Sequence, residues 1–167
     1  MSILKIFNDE QIKSEIYEAF SKRFSVRAVV VDSDNNIALI HSNKFNYHEI
    51  PGGGVEEGES AEQSVVRECK EEVGCNVEII KDLGVTLEVN GVNKITNTSY
   101  GYLVKVLGEK QNTEHMEEEI EEDFDIMWVP IDQAIELIKS DVLKDNIYHE
   151  YIRQRALTFL NEAKKIF

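Results

Sequence analysis

The 167-residue sequence predicts an α/β or α+β domain in which helices cover a mixed sheet. Three observations carry this. β-Branched runs recur along the chain, and each is bounded by turn residues. Stretches with apolar residues at helical spacing interleave with those runs. Short turns between strands favour antiparallel pairing, and helices that interleave with strands settle on the faces of the sheet.

In chain order, NDEQIKSEIYEAFSK has apolar residues at Ile12, Ile16, Ala19 and Phe20. That spacing predicts a helix over about 9–22, with Asn8 or Asp9 as its cap. Phe24 to Val31 (FSVRAVVV) reads as a strand, DSDNN (Asp32 to Asn36) as a turn, and IALIH after it as a second strand. Lys44 to Ile50 is less regular and leads to Pro51. Gly58 suits a tight turn before a helix that starts near Ser60, because Ser60 and Gln63 fit a capping box. Ala61, Val65, Val66, Cys69 and Val73 form the apolar stripe of that helix, and Gly74 stands where a left-handed C-cap belongs. Asn76 to Val89 reads as extended chain interrupted at Gly84, and Asn90-Gly91 as a hairpin turn. Tyr100 to Leu107 and Phe124 to Val129 read as strands flanking an acidic loop, Gly108 to Glu122. Asp132 is placed to cap a helix with an apolar face of Ala134, Ile135, Leu137 and Ile138. A terminal helix follows over about 146–166. With no repeat and no Pro-, Gly- or Ser-rich linker, residues 1–167 read as a single domain.

Lys and Arg total 18 against 32 Asp and Glu, a net charge of −14. That charge repels polyanions at long range, and no basic cluster offsets it, so no nucleic-acid partner is expected. A small phosphorylated substrate stays open, because a bound cation reverses the local sign. Cys69 and Cys75 lie outside a CxxC spacing and read as small buried hydrophobes. No apolar run approaches the roughly 18–20 residues of a membrane span, and MSILKIFNDEQ lacks a signal-peptide core. These features predict a cytoplasmic protein with reduced thiols and no membrane partner. They leave a homodimer open.

The chemistry concentrates in PGGGVEEGESAEQSVVRECKEEVGC, Pro51 to Cys75. On a helix, Glu68, Glu71 and Glu72 stand at i, i+3 and i+4 and share one face. Three crowded carboxylates repel one another without a cation. Oxygen-only ligands suit Mg²⁺ or Mn²⁺ rather than Zn²⁺. Gly52, Gly53 and Gly54 let backbone approach a ligand closely, so a loop carbonyl could join a metal shell. Each part alone is weak, since such glutamates are common on solvated helices. The joint pattern is specific.

That pattern resembles the box of the Nudix hydrolase family. Gly53, Glu59, Arg67, Glu68, Glu71, Glu72 and Gly74 match its fixed positions in register over Gly53–Cys75. Cys69 and Cys75 stand where the family has aliphatic residues. The resemblance implies an α/β/α sandwich with a mixed β-sheet between helices. It also implies hydrolysis of a nucleoside diphosphate linked to another group. By position, Glu68, Glu71 and Glu72 would hold Mg²⁺ or Mn²⁺, with a carbonyl from Gly53 or Gly52. Arg67 and Glu59 would pair and orient the ligand glutamates. Glu68 could serve as general base. In relatives another Glu outside the box adds a ligand or the base, and Glu118 or Glu119 is the candidate here. Arg27 could reach a phosphate, and Tyr47, with Phe45 and His48, could line a base pocket. Tyr100 and Tyr102 share a sheet face, and Trp128 reads as core.

The resemblance makes a small-molecule nucleotide the expected partner. The Pro that ADP-ribose pyrophosphatases of the family carry downstream of the box is missing. This favours a nucleoside triphosphate or a dinucleoside polyphosphate. The alternative is a nucleotide-binding sensor without turnover, against which the complete box argues.

Overall fold

In a computed structural model, which describes residues 1–8, 10–110, 124–142 and 147–167, the β-branched runs assemble into a seven-stranded mixed sheet. The strands are β1 (Ile3–Phe7), β2 (Ser21–Val31), β3 (Asn36–Ser42), β4 (Tyr47–Glu49), β5 (Asn76–Asn90), β6 (Ile95–Leu107) and β7 (Phe124–Pro130). Their order is β1-β5-β6-β2-β3-β4, with β7 also on β3. The β1–β5 and β2–β6 pairs are parallel, and the others are antiparallel. The described helices are α1 (Ser14–Tyr17), α2 (Ala61–Val73), α3 (Ile131–Ser140) and α4 (Ile147–Lys164).

Strand β2 shows why the sheet is covered on both faces. Val26, Ala28 and Val30 pack with Val65, Cys69 and Val73 of α2 and with Tyr102 and Val104 of β6. The alternate residues Val29 and Val31 pack with Ile135 and Ile138 of α3 and with Phe159 and Leu160 of α4. A strand buried on both faces reads as the unbroken run VVV. The result is the expected α/β/α sandwich. Among the described residues, no helix is long and apolar enough to cross a membrane.

A split in this sheet positions the site. β2 and β3 pair only at Val31–Ile37, next to the DSDNN turn. Beyond that point β3 continues with β4, and the edge of β2 is taken by the glycine loop instead. The amide of Ala28 donates to Pro51 O at 2.8 Å, that of Val26 to Gly53 O at 2.9 Å, and that of Val55 to Phe24 O at 3.0 Å. The loop is thus stitched to a core strand immediately before α2 begins.

The N-terminal segment differs from its sequence pattern. A strand, β1, precedes it, and the helix expected over 9–22 is only the four-residue α1. α1 buries no residue, and Ile16 is 53% exposed. A short helix with no face to bury has little to stabilise it. Asn8 instead closes a loop, its Oδ1 accepting from the Ile12 amide at 2.9 Å. Residues from Ser21 onward already pair with β6.

Gly84 does not end β5. It marks a register shift at φ +111°, where a Cβ would meet Ser2 O of the passing chain at 2.9 Å. The Asn90-Gly91 hairpin forms, with residues 91–94 between Asn90 and Ile95. Asp132 does not cap α3. Pro130 takes the N-cap position without a side-chain bond, and Asp132 in the first turn pairs with Lys164 of α4. The terminal helix falls inside its expected range. Trp128 packs at the edge of the α2-side core, with Lys110 Nζ 3.3 Å above its ring centroid.

Candidate active site

Helix α2 is fixed at both ends by local chemistry. Ser60 Oγ accepts from the Gln63 amide, Gln63 Oε1 accepts from the Ser60 amide, and Gly74 closes the helix at φ 65°. The apolar stripe turns Val65, Cys69 and Val73 onto the sheet. Glu68 and Glu72, one residue before Cys69 and Val73, are therefore carried toward the split beside β2. They are 5% and 9% exposed.

Arg67 is the hub. Its guanidinium grips both oxygens of Glu59, with Nε to Oε1 at 3.1 Å and Nη2 to Oε2 at 3.1 Å. Nη1 donates to Glu68 Oε1 and to Glu71 Oε2, each at 2.9 Å. Nη2 also reaches Gly54 O at 3.0 Å and Ser64 Oγ at 3.2 Å. One planar fork thus ties the glycine loop to three carboxylates. Glu72 turns the other way and accepts from the Gly52 amide at 2.6 Å.

The glycines are needed where they stand. A Cβ at Gly53 would lie 2.3 Å from Glu68 Oε1. One at Gly52, at φ +138°, would lie 2.2 Å from Val26 O. The carbonyls of Pro51, Gly53 and Gly54 are all engaged, by Ala28, Val26 and Arg67 respectively.

Electrostatics separate the glutamates. The Arg67 hydrogen bonds hold Glu59 below the usual carboxylate range, and Glu59 in turn raises Arg67. Burial pushes Glu68 up despite Arg67. Burial, then the charges of Glu68 and Glu49, push Glu72 well above the usual range.

Among the described residues, no three His, Cys, Asp or Glu side chains converge on one point. Arg67 and the Gly52 amide hold the carboxylates in different directions. The donor chemistry nevertheless fits a hard divalent cation, since the set is oxygen-only and includes two buried carboxylates with raised pKa values.

The other predicted residues divide. Arg27 on β2 is close enough to lower the pKa of both Glu68 and Glu72. Tyr47 is buried in a ring cluster, 5.4 Å from His149 and 6.5 Å from Phe45, and His48 Nδ1 lies 2.8 Å from Asp141 Oδ1. Glu118 and Glu119 lie outside the described residues.

Sequence reasoning missed Glu49, Glu88 and Arg155. Arg155 is 5% exposed, and its Nη1 donates to Glu88 Oε1 at 2.6 Å. Glu49 acts on both Glu72 and Arg155. A signal for Arg155 did exist. It falls between Tyr151 and Phe159 at i+4 spacing, a charge inside an apolar stripe. Glu88, Tyr151 and Arg155 border a cavity of about 310 Å³ between α4 and strands β2, β5 and β6.

Comparison with known proteins supplies the context for this geometry. A family model described as the NUDIX domain matches residues 21–151. An RNA pyrophosphohydrolase of Campylobacter jejuni subsp. doylei is 32% identical over 124 residues, covering 67% of this chain and 75% of the relative. The solution structure of the Escherichia coli ORF135 protein superposes with a TM-score of 0.62 at 19% identity, covering 89% of this chain and 93% of that one. The MutT protein of Methanosarcina mazei Go1 gives 0.59 at 18% identity, covering 89% and 97%. The two structures share the fold, the family model spans strands β2 to β7 and the glycine–glutamate segment, and the chain belongs to the Nudix hydrolases, enzymes that act on pyrophosphate bonds.

Proposed function

We propose that this protein is a divalent-metal-dependent hydrolase that cleaves the diphosphate linkage of a nucleoside diphosphate derivative by attack of water at phosphorus. The observation that carries the reading is the Arg67 hub, which gathers Glu59, Glu68, Glu71 and the glycine loop. Glu68, Glu71 and Glu72 would hold Mg²⁺ or Mn²⁺. Gly52 is the better loop carbonyl for that shell than Gly53, whose oxygen already accepts from Val26. Bound there, the cation would neutralise the diphosphate and acidify a water. Glu68 is the base we favour for that water, because burial raises its pKa above the usual carboxylate range. Arg67 and Glu59 keep Glu68 and Glu71 in place. Arg27, beside the same carboxylates, is the substrate contact.

The substrate class is a small nucleotide, with nucleoside triphosphates and dinucleoside polyphosphates favoured. The similarity to a protein named an RNA pyrophosphohydrolase is reason to include a 5′-triphosphorylated RNA in any panel. A cytoplasmic site of action goes with two buried free cysteines.

The test is product analysis. The protein is incubated with Mg²⁺ or Mn²⁺ and nucleoside triphosphates, dinucleoside polyphosphates, nucleotide sugars and ADP-ribose. Nucleotide and phosphate products should appear with the metal and vanish in EDTA. Saturable binding with no product on any substrate would favour the sensor instead.

A further inference from the structure

The cavity between α4 and the sheet is cationic in a chain that is not. The protein has five arginines and a net charge of −14. Three of the five, Arg23, Arg27 and Arg155, line this one cavity. Strand register explains how they meet. β2 and β6 pair Arg23 with Asn97 and Arg27 with Gly101, and β5 sets Glu88 opposite Asn97. Arg155 comes down from α4 onto that row.

Glu88 is the single acidic residue in the lining, and it is already engaged. One oxygen accepts from Arg155 at 2.6 Å, the other from Asn97 Nδ2 at 3.3 Å. Arg27 Nη1 donates to the Val26 carbonyl at 2.8 Å, and its buried Nε has no partner among the described residues. Burial and the nearby Arg27 lower the Arg155 pKa to about 10, so it stays charged at neutral pH. Two arginines forced together in a partly buried space are unfavourable unless an anion joins them. Guanidinium forks suit phosphate oxygens. The cavity also adjoins the glutamate site, because Arg27 acts on Glu68, Glu72 and Arg155.

We propose that this cavity is a second anion subsite, which holds a phosphate on the nucleoside portion of the substrate, apart from the diphosphate that is cleaved. This rests on the hydrolase reading for what lies next door, but the subsite can be tested without turnover.

Inorganic phosphate is titrated into the full chain in EDTA by calorimetry. The metal ligands then carry only negative charge, so binding reports the arginines. Wild type should bind. Arg23→Gln, at the exposed rim where folding is safe, should bind about tenfold more weakly, the scale of one charge-assisted contact. Glu72→Gln should not weaken it. With Mg²⁺, kcat/KM should favour adenosine 3′-phosphate 5′-triphosphate over ATP by about tenfold, and Arg23→Gln should erase the preference. A 5′-triphosphorylated dinucleotide preferred in the same Arg23-dependent way would also support the subsite, with an RNA end as its source. No phosphate binding by wild type, or binding and preference unchanged in Arg23→Gln, would overturn the proposal. Arg23-dependent binding without any turnover would keep the subsite and remove the hydrolase reading.

Discussion

Glu59 and Glu72 respond to pH with opposite signs. Glu59 has a depressed pKa through Arg67. Its contribution to stability is therefore present above its unfolded value of 4.5 and is lost as pH falls through that range. Glu72 has a raised pKa through burial. In the metal-free protein it favours the fold below 4.5, and that contribution is lost as pH rises from 4.5 toward the folded value. Thermal unfolding in EDTA should show Glu59→Gln lowering Tm at pH 7 and Glu72→Gln raising it, by about 2–4 °C for each kcal/mol of change. The same sign for both variants would refute this division. The Glu59–Arg67 pair was legible in the sequence because both members sit in one short motif. Arg155 and Glu88 were not, because they are 67 positions apart and meet only through the sheet.

Elements succeed here where local chemistry and burial agree. Helix α2 has a capping box, an apolar stripe and a glycine stop, and it forms as the sequence predicts. Ser60→Ala should cost about 0.5–2 kcal/mol, read from urea unfolding, and an unchanged midpoint would show the cap to be idle. Helix α1 had the spacing but no partner face, so one turn is all that forms. The missed strand β1 carries Ile3 and Ile6 exposed at 62% and 47%, which hides the alternation that marks a strand. Strand β6 shows the reverse case, a glycine set by packing from far away. A Cβ at Gly101 would lie 2.2 Å from Cδ1 of the fully buried Phe159. Gly101→Ala should destabilise by about 1–3 kcal/mol, with a matching fall in Tm. A neutral result would mean α4 is free to shift off the sheet.

At the scale of the molecule, the geometry of the candidate site depends on one departure from regularity. β2 and β3 separate after a single register pair, and the glycine loop takes the edge that β3 leaves. That places backbone amides and carbonyls against the carboxylates of α2. The α/β/α layering came from the family resemblance, while the covering of a mixed sheet by helices could be read from periodicity. The split could not, because it depends on strands choosing different partners along their length. The overall charge of −14 is unfavourable for polyanions at long range, yet it conceals a cationic cavity that only the fold assembles. The central claim is that the α2 carboxylates perform diphosphate hydrolysis. The most direct measurement is kcat of wild type and Glu72→Gln on the best nucleotide substrate at saturating Mg²⁺, with folding of the variant checked by its Tm. Glu72→Gln should lose about 100-fold or more in kcat, on the scale of removing a metal-held transition-state contact. Equal turnover by the two proteins would contradict it.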